Sequence, residues 1–131
     1  LAEKSAEYFN APSGGPLVQH ALPALFELVR EGVFTPQLVA AKCAHAVADC
    51  FRIQERGYIR EGYFADLVLI NPNLPWTVNN DNTRYKCGWS PFDGIVFHSK
   101  VTHTWVNGNL VFENDQLHDH SIGQRMTFEP R

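Results

Sequence analysis

The chain has 131 residues, enough for one domain with a core, and its 44% hydrophobic and 19% charged residues are ordinary for a soluble globular protein. A net charge of -3 without a basic cluster removes the electrostatic basis for binding nucleic acid. No apolar run approaches the roughly 20 residues of a membrane span, and no signal-peptide pattern opens the chain, so the expectation is a cytoplasmic protein with no membrane partner.

Residues 1–54 read as helical, and residues 55–131 as short strands separated by Gly, Pro and Asn turns. Leu1 to Phe9 is polar and mixed, without periodicity. Asn10-Ala-Pro-Ser-Gly-Gly-Pro16 reads as a loop, because its prolines and glycines interrupt any backbone ladder. From Leu17 to Arg30, apolar residues at Leu17, Ala21, Leu22, Leu25, Leu28 and Val29 mark one helical face. Pro23 predicts a kink or a later start, and Gly32 a C-terminal cap. Thr35-Pro36 reads as an N-cap followed by proline at the first helical position. Leu38, Val39, Cys43, Ala46, Val47, Cys50 and Phe51 then form the buried stripe of a second helix. Each helix has a broad apolar face, as expected of supports packed on something larger.

After Gly57 the period changes. Tyr58 to Arg60 and Phe64 to Ile70 read as strands around a Glu61-Gly62 turn, the second nearly all apolar, as for a strand covered on both faces. Trp76 to Val78 reads as a further strand. Thr102 to Val106 and Leu110 to Glu113 pair across Asn107-Gly108, a strong hairpin signal. The tail after Asn114 is polar and is expected to order only by docking. Cys43 and Cys50 lie two helical turns apart, about 10 Å, too far for a disulfide. With Cys87 they read as buried free thiols in a reducing compartment.

Tyr85-Lys-Cys-Gly-Trp-Ser-Pro-Phe-Asp-Gly94, running into the hairpin of Val101 to Phe112, resembles the C-terminal end of dihydroorotases, zinc-dependent cyclic-amide hydrolases of the amidohydrolase superfamily. Gly62-Tyr-Phe-Ala-Asp-Leu-Val68 and the Pro-Ser-Gly loop are similar to elements of the same family. The second helix carries His45-Ala-Val-Ala where related sequences often have His-Asn-Pro-Ala. The resemblance implies an α/β fold: the C-terminal part of a metal-dependent hydrolase (β/α)8 barrel, with two rim helices, followed by a small antiparallel β-sandwich subdomain. Residues 1–54 would close the barrel and residues 55–131 would form the β subdomain. It also implies interconversion of N-carbamoyl-L-aspartate and dihydroorotate in pyrimidine synthesis. The zinc ligands, the bridging carboxylated lysine, the catalytic Asp and the carboxylate-binding Arg and Asn would precede Leu1. No catalytic residue and no metal ligand is therefore expected in this chain.

The loop is the exception. Its matching positions, Pro12, Ser13 and Gly14, are expected to bind dihydroorotate through main-chain groups, since glycine lets backbone approach a ligand closely. His118-x-His120 imitates a metal motif but lies in a polar tail, and two histidines need a third ligand to hold zinc. His98 and His103 are five apart, on opposite faces of a continuous strand. His45 reads as a hydrogen-bonded structural residue, Asp66 as structural, and His20 as a helix-surface residue or one close to a ligand. The competing functions are an allantoinase or dihydropyrimidinase, a non-catalytic homologue that partners aspartate transcarbamoylase, and a stand-alone β module. A homodimer is compatible with any enzymatic reading.

Overall fold

The computed structural model describes residues 2–118 and 123–130. A 3-10 turn (Ala2–Ser5) precedes the loop, and helix α1 spans Ala21–Arg30. Pro23 falls in the first turn of α1, where a backbone N–H would have no intrahelical acceptor, so the later start replaces the kink. At the other end Gly32, at φ 77°, closes the helix: its N–H reaches Val29 O at 3.0 Å, and the Val33 N–H reaches Leu28 O at 2.9 Å.

The second helix is continuous but not uniform: α2 (Pro36–Ala40), a π turn (Ala41–His45) and α3 (Ala46–Phe51). Thr35 Oγ1 accepts the Leu38 N–H at 3.1 Å, the expected cap. An extra residue within a turn rotates every later side chain by about 100°. Beyond the π turn it is Ala48 that is buried, whereas Val47 is 41% and Phe51 63% exposed. The predicted buried stripe is thus corrected to Val39 alone of its members. Cys43 and Cys50, and Cys87 with them, are free but exposed rather than buried. The described residues do not cover that face. Arg52, at φ 54°, ends α3, with the Ile53 N–H bonded to Ala48 O at 2.9 Å.

Six strands follow: β1 (Leu67–Asn71), β2 (Trp76–Thr77), β3 (Val96–Phe97), β4 (Lys100–Val106), β5 (Asn109–Glu113) and β6 (Gln116–Leu117). A four-stranded antiparallel sheet has the order β1-β4-β5-β6, and β2 pairs with β3 in a separate ribbon. Asn107 (φ 51°) and Gly108 (φ 80°) make the two-residue turn of the expected hairpin. Asn114 (φ 45°) and Asp115 (φ 69°) make a second one, which adds β6 at the start of the tail expected to order only by docking. Tyr58 to Arg60 is not a strand; Tyr58 instead stacks on His45, with ring centroids 4.3 Å apart. β1 is an edge strand, and its Leu67, Val68 and Leu69 are exposed rather than covered on both faces. The four-stranded sheet and the β2–β3 ribbon are the β structure that the described residues supply toward the expected sandwich.

The tail returns to the helices: Gln54 donates to Thr127 O and Glu129 to Arg52 O, each at 3.0 Å. Asp66 joins the same junction to the hairpin. One of its oxygens accepts the Asn107 N–H at 2.8 Å, and the other pairs with Arg56. Arg56 also reaches Asn107 Oδ1 at 2.6 Å. These contacts make Asp66 a structural residue. The main buried cluster, containing His20, Pro23, Val78 and Phe97, lies between the start of α1 and the β2–β3 ribbon. Packing therefore crosses the change of periodicity near residue 55. Among the described residues no helix is long and apolar enough to cross a membrane.

Candidate functional site

Pro12, Ser13, Gly14 and Gly15 are exposed. Lys4 Nζ donates to the carbonyl oxygens of Pro12 and Gly14, the latter at 2.6 Å, and draws both toward one side of the loop. Gly14 adopts φ 82°, a left-handed conformation that glycine enters freely. Among the described residues no acceptor pairs with the N–H groups of Ser13, Gly14 and Gly15. The loop thus offers exposed backbone donors on a short, tethered arc. That arrangement suits a carbonyl or carboxylate oxygen of a ligand.

Behind the loop the chain dives into the core. His20, read as a helix-surface residue or one close to a ligand, is fully buried, which removes the surface reading. Its ring stacks on Trp76 at 5.7 Å and meets Tyr85 and Phe92 edge-on at 5.6 and 5.8 Å. Its Nδ1 lies 3.2 Å from the Tyr85 hydroxyl and 3.1 Å from Ser90 Oγ. Burial lowers its pKa below that of an ordinary histidine, which favours a neutral ring. Its polar partners come from the Tyr85-to-Gly94 segment singled out in the sequence, while His20 itself was legible only as a histidine between a loop and a helix.

Of the other histidines, His98 stands by itself, while His103 and His118 share the Glu113 carboxylate. His98 binds Glu27: the backbone N–H reaches Oε1 at 2.6 Å and the ring Nδ1 reaches Oε2 at 3.0 Å. His103 lies 3.2 Å from Glu113 Oε1, and His118 lies 3.9 Å from Glu113 Oε2. His120 lies outside the described residues. Among the described residues His45 is held by stacking on Tyr58, and the expected side-chain hydrogen bond is not seen. Tyr58 in turn donates to Asp49 at 2.8 Å, and that bond, with partial desolvation, raises its pKa. Among the described residues no three His, Cys, Asp or Glu side chains converge to hold a metal ion, so the side chains present do not fit zinc.

No family model matches the chain. A dihydroorotase of Halobacterium salinarum is 36% identical over 116 residues, covering 88% of this chain and 27% of that protein. An allantoinase of Escherichia coli is 27% identical over 115 residues, covering 86% of this chain and 25% of that protein. In structure, the L-hydantoinase (dihydropyrimidinase) of Arthrobacter aurescens superposes with a TM-score of 0.84 at 23% identity, covering 91% of this chain and 27% of that one. The paired helices, exposed loop and hairpin sheet therefore share the fold of a part of that hydantoinase. Among the curated relatives the chain is similar to dihydroorotases, and the match is consistent with a C-terminal portion of such an enzyme. It spans about a quarter of the length of the curated relatives it matches.

Proposed function

We propose that the chain is the C-terminal part of a cytoplasmic dihydroorotase, which interconverts N-carbamoyl-L-aspartate and dihydroorotate in pyrimidine synthesis. The observation that carries this reading is the 36% identity to the Halobacterium dihydroorotase along 88% of the chain, against 27% to the allantoinase. In the whole enzyme α1 and the second helix would be rim helices of a (β/α)8 barrel. Their exposed apolar residues, among them Val47 and Phe51, would face the rest of it. Residues 55–131 would form the small β subdomain. The partner is a small-molecule substrate, with a homodimer as the compatible assembly and neither nucleic acid nor membrane as a partner.

The zinc of this activity belongs, with its ligands, to residues outside these 131. What this chain contributes is binding. The N–H groups at Ser13 and Gly14 would meet oxygens of the cyclic amide, and Pro12 limits the conformations the loop samples before it does so. A backbone contact of this kind reads shape and acceptor placement, so it suits a ring bearing several carbonyl groups.

The test is the substrate preference of the longer enzyme. Turnover of dihydroorotate at a kcat/KM well above those for allantoin and dihydrouracil is the expected result. A preference for either of the other rings overturns the assignment.

A further inference from the structure

We propose that Gln19 and His20 anchor the Pro12–Gly14 loop and that Tyr85 and Ser90 are positioning residues that hold it against a bound cyclic amide. The proposal rests on the reading of that loop as a substrate contact. On its leading side the loop is held by Lys4, a long side chain at an exposed site. On its trailing side the attachment is stiffer. The Gln19 N–H donates to the Tyr85 hydroxyl at 2.9 Å, Gln19 Nε2 donates to Asn82 O at 2.9 Å, and Gln19 Oε1 accepts the Arg84 N–H at 2.7 Å. One residue later, His20 Nδ1 meets Tyr85 and Ser90.

The two hydroxyls are already oriented. Tyr85 accepts from the Gln19 N–H, and Ser90 accepts from the Phe92 N–H at 3.1 Å. Either can then direct its proton at Nδ1, which is the acceptor in the neutral tautomer that carries its proton on Nε2. Among the described residues His20 Nε2 finds no hydrogen-bond partner in its buried position. A phenyl ring would fill the aromatic cage without leaving a polar atom unsatisfied. What the imidazole adds is direction: it ties the chain leaving the loop to a fixed point on the Ser90 turn. Few residues, one of them Pro16, separate Gly14 from Gln19, so a shift at the anchor reaches the loop.

The experiment uses the longer enzyme with dihydroorotate, and the variants Ser90→Ala, Tyr85→Phe, Ser90→Thr and Ser99→Ala. Ser90→Ala and Tyr85→Phe are expected to raise KM about three- to tenfold with kcat held within about twofold, the signature of lost binding shared by substrate and transition state. Ser90→Thr keeps a hydroxyl and is expected to restore KM. Ser99→Ala removes a buried hydroxyl that has no partner among the described residues, and is expected to leave KM unchanged. Amide hydrogen exchange at residues 19–21, whose N–H groups are bonded to the Tyr85 hydroxyl and to Leu17 O, supplies a readout that needs no turnover, and faster exchange in Ser90→Ala and Tyr85→Phe is expected. Unchanged KM and unchanged exchange in folded variants overturn the proposal, as does a kcat that falls only in step with the folded fraction. An enzyme with no turnover of dihydroorotate defeats the substrate reading instead, and the exchange measurement still decides the anchor.

Discussion

The Glu27 carboxylate grips His98 at two points, taking the backbone N–H on Oε1 at 2.6 Å and the ring Nδ1 on Oε2 at 3.0 Å. A single side chain of α1 thereby fixes the segment between β3 and β4. Burial alone would raise the Glu27 pKa, but the two His98 contacts and the nearby positive charge of Arg30 outweigh it, and the net shift is downward.

Glu27→Ala leaves the His98 N–H without its acceptor and is expected to cost about 1–3 kcal/mol. Glu27→Gln keeps an amide oxygen for that N–H and should cost less. The lowered pKa also has a definite sign. The stabilisation is present above the ordinary glutamate range and is lost as pH falls through and below it. Urea unfolding of wild type and Glu27→Gln at pH 7 and pH 4 checks both points. The gap between the two proteins should narrow at the lower pH.

His20 gives a second acid response from the opposite kind of group. Its pKa is lowered by burial, so the unfolded chain binds the proton more readily than the folded one. Stability is then full above about pH 6.5 and falls as the pH drops below it, before the carboxylates titrate. His20→Phe, in a cage already made of Trp76, Tyr85 and Phe92, should flatten the melting temperature between about pH 6.5 and 5. An equal acid slope in both proteins would assign that slope to other groups.

Gly57 is held at φ 81°, and a Cβ built there would lie 2.4 Å from Ala48 Cβ and 3.0 Å from Ala44 O. Both contacts are with the second helix, so neither neighbour moves cheaply. Gly57→Ala is therefore expected to destabilise by about 2–4 kcal/mol, combining backbone strain with overpacking. Gly62→Ala has φ 83° but nothing within 4 Å of the added atom, and should cost only the strain. The difference between their denaturation midpoints isolates the packing part.

Local signals in the sequence were read well where the chemistry is local. The Thr35 cap, the Gly32 stop and the Asn107-Gly108 turn each depend on a few adjacent residues, and all three are present. The π turn at Ala41–His45 has no comparable local signal, and beyond it the buried residue is Ala48, which the predicted stripe does not include. The edge position of β1 was also illegible, because an apolar run looks the same whether or not something covers it. His20 was hidden for a related reason: its partners, Tyr85 and Ser90, are 65 and 70 residues away. The loop at Pro12 to Gly14 is singled out mainly by its resemblance to dihydroorotases, because Gly- and Pro-rich loops by themselves are common.

The isolated 131-residue chain is expected to bind no stoichiometric zinc and to turn over no dihydroorotate. Its described residues bring no set of metal-binding side chains together, and a cyclic amide is not opened at a useful rate by backbone donors alone. Metal analysis of the purified chain with a dihydroorotate assay checks this. One tightly bound zinc accompanied by turnover would overturn it.

The loop itself separates hydroxyl from backbone. In the longer enzyme, Ser13→Ala removes only an exposed side chain and leaves the N–H in place, so kcat/KM should stay within about twofold. Gly14→Val acts differently. Nothing within 4 Å obstructs a Cβ at Gly14, so within this chain the effect comes from the backbone: at φ 82° a β-branched residue is strained and pulls the loop toward negative φ. That movement would withdraw the Gly14 carbonyl from Lys4 and turn the adjacent N–H away from the ligand, at an expected cost of about tenfold or more in kcat/KM. Circular dichroism should report an intact fold in both variants, since the loop is exposed. Equal losses in Ser13→Ala and Gly14→Val would assign the contact to the hydroxyl. Wild-type activity in both would reduce the loop to a lead into α1.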